Sequence, residues 1–165
     1  MPIKIPSMAT EADISAYTSG YSHALAVALH RRFGWKMLVV TDARDPYWVD
    51  PEVAENSIPV VVHVYALDGN GDAWDIRGKR TQADVKDDCY EFFNVQDFET
   101  EVCADEDDLA FYVGTWSDAG DPIERPLPYY SEGDIVEAEA ILVKAFPNMP
   151  IALIETDECQ RRFPR

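Results

Sequence analysis

Ser22, His63 and Asp75 have the types and the chain order needed to move a proton and attack a carbonyl. A hydroxyl or thiol is a weak nucleophile until a base takes its proton, and the base works best when a third group fixes its tautomer. Ser22 heads the apolar stretch Ser22 to Phe33. His63 interrupts the run Val60-Val61-Val62-His63-Val64, and Asp75 follows Asp68-Gly69-Asn70-Gly71. A histidine among valines needs a partner, because burying a ring nitrogen without a hydrogen bond costs about 1–3 kcal/mol. Asp75 can supply it by accepting from the imidazole.

The elements carrying these residues decide whether they meet. Leu25, Leu29 and Phe33 repeat at helical spacing, and Ala24, Ala26, Val27 and Ala28 fill the other faces, so Ser22 to Phe33 is predicted as a buried helix stopped by Gly34. A nucleophile on its first turn lies at the positive end of the dipole, which favours thiolate over thiol. Serine gains little there, because its hydroxyl is too weak an acid; Ser22 would depend wholly on His63. Ile58 to Leu67 is predicted as a central strand and Ala73 to Arg77 as its hairpin partner. With a two-residue turn, His63 and Asp75 point to opposite faces. With a three-residue loop, Gly69-Asn70-Gly71, and Gly71 left-handed in a bulge, Asp68 faces Asp72. His63 and Asp75 then share a face as diagonal neighbours roughly 7–8 Å apart. Gly71 favours the second register.

Gly20-x-Ser22, Leu25-Ala26-x-Ala28-Leu29 and Phe33-Gly34-Trp35 resemble the Gly-x-Cys, helix and Gly segment of small bacterial and phage papain-like, or transglutaminase-like, cysteine hydrolases. His63-Val64-Tyr65, Asp68-Gly69 and Trp74-Asp75-Ile76-Arg77-Gly78 resemble their His-Val, Asp-Gly and Asp-x-x-Gly hairpin. The likeness covers about Gly20 to Phe92. It implies Ser22 at the nucleophile position, His63 as base, Asp75 as orienting acid, and a papain/transglutaminase-like fold. The sequence departs from the pattern at Ser22, where the family has cysteine.

The remaining pattern is α+β, a small antiparallel sheet with helices around it, in a single domain over 1–165. Residues 1–9 read as an extended arm, Thr10 to Tyr17 as a short capped helix, and Met37 to Val40 as a buried strand. Asp42 to Asn56, with Tyr47 and Trp48, reads as a long loop. Thr81, with Asp84 three residues on, opens a helix to about Phe92. Phe98 to Ala104 alternates as a strand, and Asp105-Glu106-Asp107-Asp108 starts a short helix. Asp118 to Tyr130 is read as a loop, and Ser131 caps a last helix over Ile135 to Phe146. Residues 147–165 form a tail, with Ile151 to Ile154 as an edge strand.

The 31 acids against 14 bases leave a formal charge of −17, which repels nucleic acid and anionic membranes and suits a basic protein partner or simply high solubility from a solvated acidic face; a protein or peptide substrate is what the hydrolase resemblance implies. Cys89, Cys103 and Cys159 are widely spaced, without a disulfide framework or a zinc pattern. No signal peptide or spanning helix is readable, so the cytoplasm is expected. Asp68-x-Asn70-x-Asp72 begins like a calcium loop, but Ala73 and Lys79 stand where glycine and glutamate belong; no metal or other cofactor is expected. Each candidate also has a structural role open to it. Ser22 is an acceptable helix cap, and Asp75 could pair with Arg77 or Arg80 or cap Gly78. His23 is an alternative base or a surface ring, and His30 belongs on the solvent side. Tyr47, Trp48 and Trp74 suit a core or a cleft. Two functions follow: acyl transfer on a peptide or amide bond, or an acidic binding module of toxin-neutralising or inhibitor type with a vestigial site.

Overall fold

The computed structural model describes residues 4–48, 58–92 and 98–147. Among them the elements run β1 (Ile5–Pro6), α1 (Glu11–Ser19), α2 (Ser22–Phe33), β2 (Lys36–Trp48), β3 (Ile58–Leu67), β4 (Ala73–Asp75), β5 (Gly78–Arg80), α3 (Gln82–Phe92), β6 (Phe98–Cys103), α4 (Glu106–Leu109), β7 (Thr115–Trp116), β8 (Pro122–Ile123) and α5 (Glu132–Ala145). Six strands form one antiparallel sheet in the order β1-β5-β4-β3-β2-β6. This is the expected α+β class.

The two faces of the sheet bury different elements. Val64, Ala66 and Trp74 point to the side where α2 packs, with α5 beyond it, in the larger core. Tyr65, Val40 and Ala73 point the other way, against Val85 and Cys89 of α3. The split follows from the two-residue period of a strand. Every residue from Ser22 to Leu29 is buried, as an all-apolar helix requires. Helix starts are set by local polar chemistry. Thr10 Oγ1 accepts from Asp13 N, Ser131 and Asp134 form a capping box, and Thr81 with Asp84 does the same.

Three readings are corrected. Asp42 to Asn56 is not a loop throughout, because β2 continues to Trp48, pairing Asp42 with Val60, Pro46 with Pro59 and Trp48 with Ile58. Register shifts at Val40/Thr41, Asp42/Pro46 and Pro46/Trp48 take up the proline and the polar residues. Within Asp118 to Tyr130, Pro122–Ile123 pairs with Thr115–Trp116. The extended arm contributes β1 to the sheet edge beside β5, where Gly78 (φ 129°) lies so close to the Ile5 carbonyl that a Cβ would overlap it. The edge strand expected over Ile151 to Ile154 lies outside the described residues.

Candidate active site

The hairpin register is the three-residue one. Ala66 pairs with Trp74 and Leu67 with Ala73, Asp68 N donates to Asp72 O, and Gly71 is left-handed at φ 81°. Asp68 closes the loop, its carboxylate accepting from Asn70 N, Asp72 N and Trp74 Nε1; the calcium-like acids are spent on the turn. His63 and Asp75 accordingly share the α3 side of the sheet, and His63 Nε2 donates to Asp75 Oδ2 at 2.9 Å. Both residues are 4% exposed.

Asp75 is held from several directions. Oδ1 accepts from Arg77 N at 2.8 Å, Arg80 reaches Oδ2 at 3.2 Å, and Arg80 also binds Asp88 at 2.6 Å. Burial pushes the carboxyl up. The His63 bond and charge, Arg80 and the Arg77 amide outweigh it and hold the group below the usual carboxylate range. An ionised Asp75 bonded to Nε2 fixes the tautomer and orientation of the ring.

Ser22 is the first residue of α2, not its cap: the cap position is Tyr21, which makes no side-chain cap bond. The Ser22 hydroxyl, in a residue 6% exposed, instead accepts from Val64 N at 3.2 Å. The hydrogen-bonded pairs Asp68/Asp72 and Ala66/Trp74 would continue through Val64, two residues on, but the β3–β4 ladder ends at Ala66. Ser22 takes the amide that β4 no longer pairs. Ser22 comes from α2, which packs on the Val64 face of the sheet, whereas His63 and Asp75 lie on the α3 face, and its Oγ reaches the β3 backbone at Val64 N. Thus the structure joins His63 to Asp75 directly and brings Ser22 to the next residue's amide.

A cavity of about 10 Å3 beside the pair is lined by Thr18 from α1 as well as His63, Asp75, Val85, Asp88 and Cys89, room for about one water. Cys89 was not anticipated at the site; its spacing from Thr81 along α3 marks only a helix position. Burial, with Asp88 and Asp75 close by, pushes its thiol up to about 12. It stays protonated, in the half of the helix where the dipole opposes a thiolate.

The other histidines take structural positions. His23 is fully buried rather than a surface ring, and its Nε2–H donates to Pro128 O at 2.8 Å. Burial lowers its pKa to about 4, against the Pro128 bond and Asp134, so it is neutral near pH 7. His30 is half-buried, not on the solvent side, and its ring Nδ1–H donates to Trp35 O, closing the turn after α2. Trp74 is core. The side chains of Tyr47 and Trp48 lie outside the described residues.

Among the described residues no group of histidine, cysteine and acid side chains is arranged to hold a metal, and no helix is long and apolar enough to cross a membrane. Comparison with family models, curated proteins and solved structures finds no match.

Proposed function

We propose that this chain carries an acyl-transfer site of papain/transglutaminase-like organisation, acting on a peptide or amide bond, with Ser22 at the nucleophile position. One observation carries the reading: the Ser22 oxygen sits at the head of a buried helix and receives a backbone N–H from β3, the strand whose His63 is bonded to Asp75 of β4. A helix N-terminus and a donated N–H both stabilise negative charge on the atom they face. The environment of position 22 is therefore suited to an anion, which a thiol supplies near neutral pH and a hydroxyl does not.

In the reaction the atom at position 22 attacks the carbonyl while His63 takes its proton and later gives it to the leaving amine. Asp75 holds the ring and balances the imidazolium. The N–H groups of Ser22 and His23 precede the first bond of α2, Ala24 N to Tyr21 O, and face the developing oxyanion. Serine in this frame relies on His63 alone, so a slow hydrolase is expected. The second reading, an acidic binding module with a vestigial site, draws on two observations: the serine itself, and a cavity of about 10 Å3 that admits no substrate as it stands.

Ser22→Cys separates them. Treated with iodoacetamide and mapped by mass spectrometry, residue 22 is expected to label faster than Cys89 and Cys103, with the advantage lost in a Ser22→Cys/His63→Ala variant. Labelling indifferent to His63 would leave the binding reading.

A further inference from the structure

Trp116 and Tyr129 are 53% and 49% exposed, and their rings meet edge to face at 4.6 Å. A groove of about 450 Å3 runs along them, walled by Pro122, Ile123, Pro126 and Pro128. Half-exposed large rings forgo part of the stabilisation that burial of such a side chain yields, and an apolar patch with a polar rim marks an interaction surface. This surface is tied to the candidate site. Tyr129 stacks on Tyr130 at 6.5 Å, Tyr130 meets His23 at 5.7 Å, and His23 stacks on Tyr21 at 6.2 Å. The His23–Pro128 bond locks that sequence of rings. Tyr21 and His23 are the two neighbours of Ser22.

The rim gives the charge of the occupant. Glu124 and the half-buried Arg125 line the groove and exposed Asp118 and Asp121 sit at the hairpin turn, so acids outnumber the one base three to one, in a chain of formal charge −17. Aromatic faces attract a cationic head group, and carboxylates beside them accept its N–H donors. A second copy of the chain would bring the same negative charge, and a neutral proline-rich segment would leave the carboxylates unused.

We infer that the Trp116–Tyr129 surface docks an extended, Lys- or Arg-bearing segment of a protein substrate and leads it toward the α2 N-terminus. The inference deepens the acyl-transfer reading and rests on it for the word substrate. The docking itself is measurable without catalysis.

The test uses the full chain and three fluorescein-labelled peptides: alternating Arg and Ser, alternating Glu and Ser, and a neutral proline-rich segment. By fluorescence anisotropy the Arg–Ser peptide is expected to bind tightest, and less tightly as salt rises. Trp116→Ala is expected to weaken it at least about fivefold. Asp118→Asn/Asp121→Asn/Glu124→Gln is expected to flatten the salt dependence. Equal or tighter binding of the proline-rich or acidic peptide, no effect of Trp116→Ala, or sedimentation showing that Trp116 mediates self-association would overturn the inference. If binding fails while residue 22 of Ser22→Cys still labels through His63, only the docking surface is wrong. If binding holds and labelling fails, the acyl-transfer reading is wrong.

Discussion

Asp75 is the residue on which the candidate site turns. It accepts from His63, from Arg80 and from the Arg77 amide in a buried position. Asp75→Asn would leave Arg80 facing Asp88 alone and free the imidazole tautomer. It is expected to cost about 3–5 kcal/mol in urea unfolding and to abolish His63-dependent labelling of Ser22→Cys. Because the folded pKa of Asp75 lies below its unfolded value near 3.8, its stabilisation is present above that value. It is lost as pH falls through the folded pKa, in acid below about pH 4. His23 acts at higher pH. Its folded pKa of about 4 lies below the unfolded 6.5, so between the two the unfolded chain binds more protons. Stability should drop by about 3 kcal/mol as pH falls from 6.5 to 4. In urea titrations across that range, the difference between wild type and His23→Gln should carry this slope; parallel curves would refute it.

At the scale of elements, the hairpin converts sequence into site. Gly71 made the register legible, since a left-handed residue after Gly69-Asn70 selects the three-residue loop that puts His63 and Asp75 on one face. Gly71→Val is expected to destabilise by about 1–3 kcal/mol and to reduce labelling of Ser22→Cys more than a core substitution of equal cost, such as Leu142→Ala. Equal effects on labelling would show that register is not the cause. The helix α2 was legible to the residue, from Ser22 to the Gly34 stop, because apolar content and a glycine terminator agree locally. The far half of β2 was not. Its polar residues and Pro46 read as loop, and only pairing with β3 across bulges makes them strand. The arm was likewise unreadable as β1, because two residues acquire strand character only from the close approach of Gly78. The Ser22–Val64 bond depends on where β4 departs from β3, which no local pattern encodes.

For the whole molecule, charge and burial set the terms. With a formal charge of −17, the folded chain repels itself, so added sodium chloride is expected to raise the midpoint of thermal unfolding by screening; a falling midpoint would mean that attractive pairs dominate. One such set, Arg31 with Glu106 and Glu132, ties α2 to α4 and α5. The same chain holds an oxygen at position 22 where a helix terminus and a strand amide both favour an anion, opposed by desolvation in a nearly buried site. The pH dependence of iodoacetamide alkylation at residue 22 in Ser22→Cys tests this most directly. An apparent thiol pKa about one to two units below the ordinary 8.5, rising toward it in Ser22→Cys/His63→Ala, is the predicted result. A pKa at or above 8.5 in both variants would contradict an anion-ready nucleophile position.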